Sequence, residues 1–476
     1  MSDPIPDRTS ETLGRLQRYE SRNITFLDPG AGWPIVWKRA RGCRVQDESG
    51  RWYLDLTAAF GVAAAGHANP AVVRAGRRQM GELLHAMGDV HPHALKARLA
   101  MELSRLTFGR WTRRRAGRPA GPETGKVIFG CSGFEAVEAA LKTARLATGR
   151  PGVIAFRGGY HGVGYGALNA TERGHFRDPF RDQLREFGRF VDFPGAGPDD
   201  PSGPATEASL ERALDGAGAP GDIGAIIAEP MQARGGIRIP PPWFLPCLRR
   251  WADRHGALLI LDEIYTGFGR TGAWFACEHS GVVPDLVCLG KALTGGFPLS
   301  ACVGRAGVMD AWPEAMGEAI HTSTYLGHPV GCAMALAQIA ELRRLDLPRR
   351  AARMGRRLGD ALEALRQRVP DRVSRVSVAG LMGGIAWRRP EGGPDTALSV
   401  GLMQEALRRG VLLLPEGEHS EVTGITPPLT LTEAQLERAF RAITESVEHL
   451  VRPTAVSAPV PRARIPRQPP SKKRRR

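Results

Sequence analysis

The chain has 476 residues, a formal net charge of +16 and 42% apolar residues, enough length for a large buried core and more than one lobe. No stretch approaches the roughly eighteen uninterrupted apolar residues that a membrane helix requires. The start Met1-Ser-Asp-Pro-Ile-Pro-Asp-Arg8 is polar and proline-bearing rather than a charged opening before an apolar run, so secretion is not expected and the cytoplasm is the expected compartment.

In chain order, the stretch from Val45 to Asp55 reads as a hairpin turning at Ser49-Gly50. Arg110, Arg113, Arg114, Arg115 and Arg118 then cluster in a Gly/Pro-containing stretch. Through the middle of the chain short apolar runs alternate with helical patterns, as a mainly parallel α/β sheet requires. Strands are expected at residues 126–129, 152–156, 225–228, 257–261 and 286–289, with a helix over 134–147 after the first of them. Beyond Pro329 the pattern changes to long helices, clearest at 333–345 and 351–369, with short strands near 373–378 and 382–386. From Arg452 onward there is no acidic residue, proline is frequent and the chain ends in Lys-Lys-Arg-Arg-Arg, the composition of a solvated, disordered tail. The expected organisation is an N-terminal segment of a small lobe at 1–66, a large α/β domain at 67–330, a C-terminal small domain at 331–452 and a basic tail at 453–476. The seven cysteines are scattered without close pairs, several inside apolar runs, and read as small hydrophobes; no metal site is expected.

Two segments carry chemistry. An apolar run from Leu258 ends on Asp262, and a second ends on Lys291, set among glycines in Leu-Gly-Lys-Ala-Leu-Thr-Gly-Gly. Pyridoxal phosphate chemistry needs such a pair: a lysine amine attacks the aldehyde, and a carboxylate facing the pyridine nitrogen keeps it protonated so that the ring accepts electrons from a substrate carbanion. Taken alone, an apolar run ending in an acid is also simply the end of a strand.

Several further motifs stand in order with these two. They are Ser-Gly-Phe-Glu-Ala-Val-Glu-Ala-Ala from Ser132, Phe-Arg-Gly-Gly-Tyr-His-Gly from Phe156, Glu-Pro-Met-Gln from Glu229 and Asp-Glu-Ile-Tyr-Thr-Gly-Phe-Gly-Arg-Thr-Gly from Asp262. His-Thr-Ser-Thr-Tyr from His321 and Pro-Pro-Leu-Thr from Pro427 complete the set. With them, from about Asn23 to Val451, the chain resembles the class III, fold type I, pyridoxal-phosphate-dependent aminotransferases.

The resemblance implies the site. Lys291 forms the imine with the cofactor and Asp262 partners the pyridine nitrogen. Ser132, Gly133 and the backbone of Phe134 hold the phosphate at a helix N-terminus, where free N–H groups and the helix dipole suit a dianion. Ser132 could equally be an N-cap and no more. The family has a small or hydroxyl residue in place of Phe134, so one phosphate contact is expected to be missing. Tyr160 stacks on the ring with His161 close by, Gln232 approaches the phenolic oxygen, and Glu229 and Glu263 support the site rather than react. Thr324 resembles the threonine that reaches the neighbouring subunit's phosphate, which implies a homodimer with shared sites. Without the resemblance Tyr160 would read as a half-buried loop aromatic.

Substrate groups are where the sequence departs from the pattern. The 4-aminobutyrate and ornithine branches carry arginine where this chain has Val163 and again where it has Gly424, and an acid where it has Arg234. Arg234 is therefore a candidate for carboxylate recognition through paired hydrogen bonds, with a plain surface arginine as the alternative.

Three functions follow. The first is transfer of an amino group from an ω-amino acid such as 4-aminobutyrate, or an ornithine-like donor, to 2-oxoglutarate or pyruvate through the Lys291 imine. The second is an aminomutase or racemase on the same scaffold. The third, from another class, is a polyanion or nucleic-acid binder acting through the basic loop and tail, set below the other two.

Overall fold

The computed structural model describes residues 8–27, 33–115, 124–195, 203–219 and 221–452. Near the start, β1 (Trp37–Arg41), β2 (Arg44–Asp47) and β3 (Trp52–Asp55) form an antiparallel ribbon. The hairpin between β2 and β3 turns at Ser49-Gly50, where Gly50 supplies a φ of +90° and the Asp47 carboxylate accepts from Ser49 Oγ and the Arg51 N–H.

The central strands are β4 (Gly125–Gly130), β5 (Gly152–Phe156), β6 (Gly188–Val191), β7 (Ile223–Ala228), β8 (Leu258–Asp262), β9 (Leu286–Leu289) and β10 (Ser300–Arg305). They build one seven-stranded sheet in the order β4-β10-β9-β8-β7-β5-β6. β5 and β7 are buried along their whole length, and this is why they read as continuous apolar runs rather than alternating ones. Their side chains still alternate between two cores. Ala225 and Ile227 pack with Val153, Ile260 and Cys288 beneath the Gly133–Thr148 helix, while Ile226 and Ala228 pack with Phe156, Leu259, Phe244 and Trp251 on the opposite face.

The C-terminal strands are β11 (Val373–Ala379), β12 (Met382–Trp387), β13 (Val411–Leu412), β14 (Leu414–Glu416) and β15 (Val422–Ile425). Four of them form the sheet β11-β12-β15-β14, and β13 instead joins the N-terminal ribbon in parallel with β3. Both chain ends thus meet in one sheet. Helices Pro329–Arg344, Leu347–Arg368 and Glu433–Val451 supply the long C-terminal segments. The last of these opens on Thr432, whose hydroxyl accepts from the Gln435 N–H while Gln435 reaches back to the Thr432 N–H.

All seven cysteines are free, six of them buried. Of the basic cluster, Arg110 is partly buried and ion-paired with Glu278, and Arg118 lies outside the described residues together with the whole tail at 453–476. No helix among the described residues is long and apolar enough to cross a membrane.

Candidate active site

One strand direction organises the site. β10 runs antiparallel to both neighbours, so β4 and β9 point the same way, and β8, β7, β5 and β6 follow in parallel. The carboxyl ends of six strands therefore share one edge, where open α/β sheets bind ligands. Ser132 follows β4, Tyr160 and His161 follow β5, Glu229 follows β7, Asp262 ends β8 and Lys291 comes two residues after β9. A cavity of about 280 Å³ opens there, lined by Ser132, Gly133, Phe134, Tyr160, His161, Glu229, Arg234, Asp262, Tyr265 and Lys291.

Lys291 adopts φ +41°, a left-handed conformation that costs a non-glycine residue about 1–3 kcal/mol and is held only where its surroundings enforce it. Its Nζ lies 4.4 Å from the Tyr265 ring centroid. Burial pulls its proton affinity below the ordinary lysine value and the charge of Arg234 adds to this, against the opposing pull of Asp262, Glu229 and Glu416. Asp262, 4% exposed, accepts from the Ile264 N–H at 3.1 Å and pairs through Oδ2 with His161 Nδ1 at 2.8 Å. Burial opposes charge on that imidazole, but the bond to Asp262 and the fields of Asp262 and Glu229 outweigh it, so the His161 pKa is raised. Glu229 accepts from the N–H groups of Tyr160 and Ala233, each at 3.0 Å, tying the ring-bearing loop to the Arg234 loop. Burial raises its pKa. Glu263, also raised by burial, accepts from the Ala276 and Cys277 N–H groups and lies outside the cavity lining.

At the end of β4, the Ser132 side chain leaves capping to Glu135, whose carboxylate accepts from the Cys131 and Ser132 N–H groups. Ser132 Oγ is buried with no partner. An orphaned hydroxyl at a helix N-terminus, beside a glycine whose added Cβ would stand 3.0 Å from Ile264, fits a phosphate. The Phe134 ring packs against Gly162 and Gly164 and adds no polar contact there.

Gln232 carries a side-chain Oε1 that is buried with no hydrogen-bond partner. Its backbone is bridged to Arg238, its Nε2 donates to the Arg157 carbonyl at 2.8 Å, and it does not line the cavity. Tyr265, three residues after Asp262, stands beside the lysine instead. Its hydroxyl meets Thr426 Oγ1 at 3.0 Å. Thr324 is exposed and does not line its own chain's cavity.

The largest departure concerns Arg234, which is ion-paired rather than a free surface residue. Its Nη1 lies 3.0 Å from Glu416 Oε2, with the side chains 31% and 2% exposed. Gly424 makes room for this, since a Cβ there would stand 2.9 Å from Glu416 Cγ. The pair joins the loop after β7 to β14 of the C-terminal sheet. Burial pushes the Glu416 carboxyl up to about 7, although Arg234, Lys291 and Arg173 pull it down.

Comparison with known proteins decides the family. The class III aminotransferase family matches residues 28–447. Acetylornithine aminotransferase from Methanopyrus kandleri is 36% identical over 417 residues, covering 87% of this chain and 95% of that protein. The chain is a class III aminotransferase. An amine transaminase from an uncultivated Pseudomonas species, solved in its PLP-bound form, superposes with a TM-score of 0.80 at 31% identity, covering 91% of this chain and 98% of that one. An (S)-enantioselective omega-transaminase from Thermomicrobium roseum gives 0.82 at 27%, covering 93% and 99%. The fold is that of the pyridoxal-phosphate-dependent transaminases, and the cofactor of this class III aminotransferase is pyridoxal 5'-phosphate.

Proposed function

We propose that this aminotransferase moves an amino group from an ornithine-like donor or an ω-amino acid such as 4-aminobutyrate to 2-oxoglutarate or pyruvate, with Lys291 as nucleophile and base. The observation that carries this reading is one cavity lined by both the buried Lys291 and Arg234. The likeness to an acetylornithine aminotransferase supports the donor class.

When bound, pyridoxal phosphate supplies an electrophilic aldehyde and a ring that accepts electrons. The residues do the rest. Lys291, less basic than a free lysine, attacks as the neutral amine and afterwards carries the proton taken from the substrate carbon. Asp262 keeps a proton on the ring nitrogen, and its bond to His161 holds the carboxylate in place. Ser132 and the N–H groups of the Gly133–Thr148 helix would hold the phosphate, and Tyr160, anchored through its N–H by Glu229, would hold the ring. Tyr265, with Lys291 Nζ 4.4 Å from its ring centroid and its hydroxyl tied to Thr426, would position the lysine, and Gln232 would remain the candidate partner of the phenolic oxygen.

Arg234 gives the site two states. A substrate end without a carboxylate leaves the Arg234–Glu416 pair closed; a carboxylate takes the guanidinium, and Glu416, stripped of its counter-ion, takes up a proton. A second copy of the chain would bring its Thr324 to the phosphate, and Met87, Val90, Met316, Ile320 and Tyr325 are exposed apolar side chains that such a contact would cover.

The test adds candidate amines to the yellow holoenzyme and follows loss of the visible band. An accepted donor bleaches it once, and turnover continues only after an oxo acid is supplied. Repeated turnover without an oxo acid, beyond the one equivalent of carbonyl product that the half-reaction releases, would instead establish an aminomutase or racemase.

A further inference from the structure

A second cavity, of about 760 Å³, lies behind the Arg234 loop, walled on one side by loops of the seven-stranded sheet and on the other by β11, β12 and the turns around them. Among the described residues five arginines line it, Arg157, Arg173, Arg238, Arg375 and Arg388, against three glutamates, Glu172, Glu418 and Glu421. Arg157 is ion-paired, to Glu172 and Asp192. Arg173 and Arg388 are held by main-chain carbonyls, Arg173 by Glu418 at 3.2 Å and Arg388 by Asp371 and Pro370 at 3.2 and 3.4 Å. A carbonyl orients a guanidinium without cancelling its charge. For Arg173, burial and then the like charge of Arg234 weaken its hold on its proton against the opposing pull of Glu418, Glu416 and Glu421, and an anion beside it would add to that pull.

We propose that this cavity is a binding site for a small polyanion carrying two or more carboxylate or phosphate groups, distinct from the reacting oxo acid. Two separated anionic groups suit it because the arginines stand on opposite walls, Arg157 and Arg173 on one and Arg375 and Arg388 on the other. Its position gives it a lever on the reaction. Arg375 donates to the carbonyls of Gly236 and Ile237 at 2.9 and 3.0 Å, two and three residues past Arg234. The Gly417 N–H donates to the Arg234 carbonyl, next to Glu416. A polyanion bridging the walls fastens the loop on which Arg234 rides, and so reaches carboxylate binding without touching the cofactor.

The experiment is calorimetric titration of the holoenzyme at physiological ionic strength with pyrophosphate and, separately, with tricarballylate. Neither can accept an amino group, and the cofactor already occupies the Ser132 site. The expected result is one saturable site per chain for at least one of them, the preferred anion telling phosphate from polycarboxylate. Arg173→Gln and Arg388→Gln each weaken it about tenfold or more, while Arg234→Ala keeps it. If Arg173→Gln fails to fold, the exposed Arg388 carries the comparison, with Arg388→Lys restoring part of the affinity. The proposal is overturned if neither anion gives a saturable heat, or if binding survives both glutamine variants and disappears in Arg234→Ala, which would place the anion in the Lys291 cavity.

Discussion

Replacing Glu416 by glutamine isolates the coupling between carboxylate recognition and pH. In the free enzyme the Glu416 carboxyl titrates at about 7, far above an ordinary glutamate, even with Arg234 at 3.0 Å. When a substrate carboxylate draws Arg234 away, Glu416 loses its counter-ion while only 2% exposed, so its pKa rises further and binding takes up a proton. The sign follows. Below pH 7 Glu416 is already protonated, Arg234 is available and affinity for the oxo acid is full; above pH 7 binding must draw a proton from solvent and weakens. One proton per carboxylate gives a limiting slope of one log unit per pH unit well above pH 7, so KM for 2-oxoglutarate should climb roughly fiftyfold from pH 7, where the group is half ionised, to pH 9. Glu416→Gln keeps the shape and removes the titration, so its KM should be nearly flat. Steady-state kinetics of the oxo-acid half-reaction over pH 6 to 9 measures both, and the difference between the curves removes titrations shared by the two enzymes, Lys291 included. A flat wild-type profile, or a glutamine variant with an unchanged slope, refutes the coupled pair.

Four other outcomes follow from the geometry. Lys291→Ala should abolish turnover, and borohydride reduction of the parent holoenzyme should yield a pyridoxyl-labelled peptide containing Lys291 that the variant lacks. Asp262→Asn should lower kcat by about 10²- to 10³-fold, as loss of one preorganised charge does, with the folded state confirmed by circular dichroism. Ser132→Ala should weaken cofactor binding by roughly 1.5–3 kcal/mol, the range for a hydrogen bond to a charged group, and leave the melting temperature of the cofactor-free protein unchanged because the hydroxyl has no partner in the protein. Gly424→Ala should cost about 1–3 kcal/mol of stability through overpacking against Glu416, read by thermal denaturation, and should flatten the pH dependence of the oxo-acid KM.

Much of the large sheet was legible because β5, β7 and β9 are short apolar runs buried on both faces, and the runs at 152–156 and 286–289 match the observed strands at both ends. β10 was not expected. Its residues, Ser-Ala-Cys-Val-Gly-Arg, are small and broken by a glycine, and its reversed direction comes from pairing with β4 and β9 rather than from local pattern. The small strands β13 to β15 are two to four residues long, too short for any period to show. In the site, Lys291, Asp262, Ser132 and Tyr160 stand on short motifs and converge on one cavity. Gln232, also on a short motif, does not line that cavity, and its backbone is bridged to Arg238 six residues on. Glu416 could not be found from its neighbours in sequence, since its approach to Arg234 across 182 positions requires the pairing of β14 with β15 and the absence of a side chain at 424. Tyr265 was within reach, lying in the segment that carries Asp262.

The common direction of six strands keeps the reacting groups on one rigid rim, whereas the arginine's counter-charge arrives from a different sheet. Small shifts of that sheet would retune which acids are welcome and leave the bond-making apparatus alone. Drift in diet and fidelity of chemistry are thereby assigned to separate pieces of architecture, and a designer seeking a new substrate has reason to begin at the β14–β15 turn.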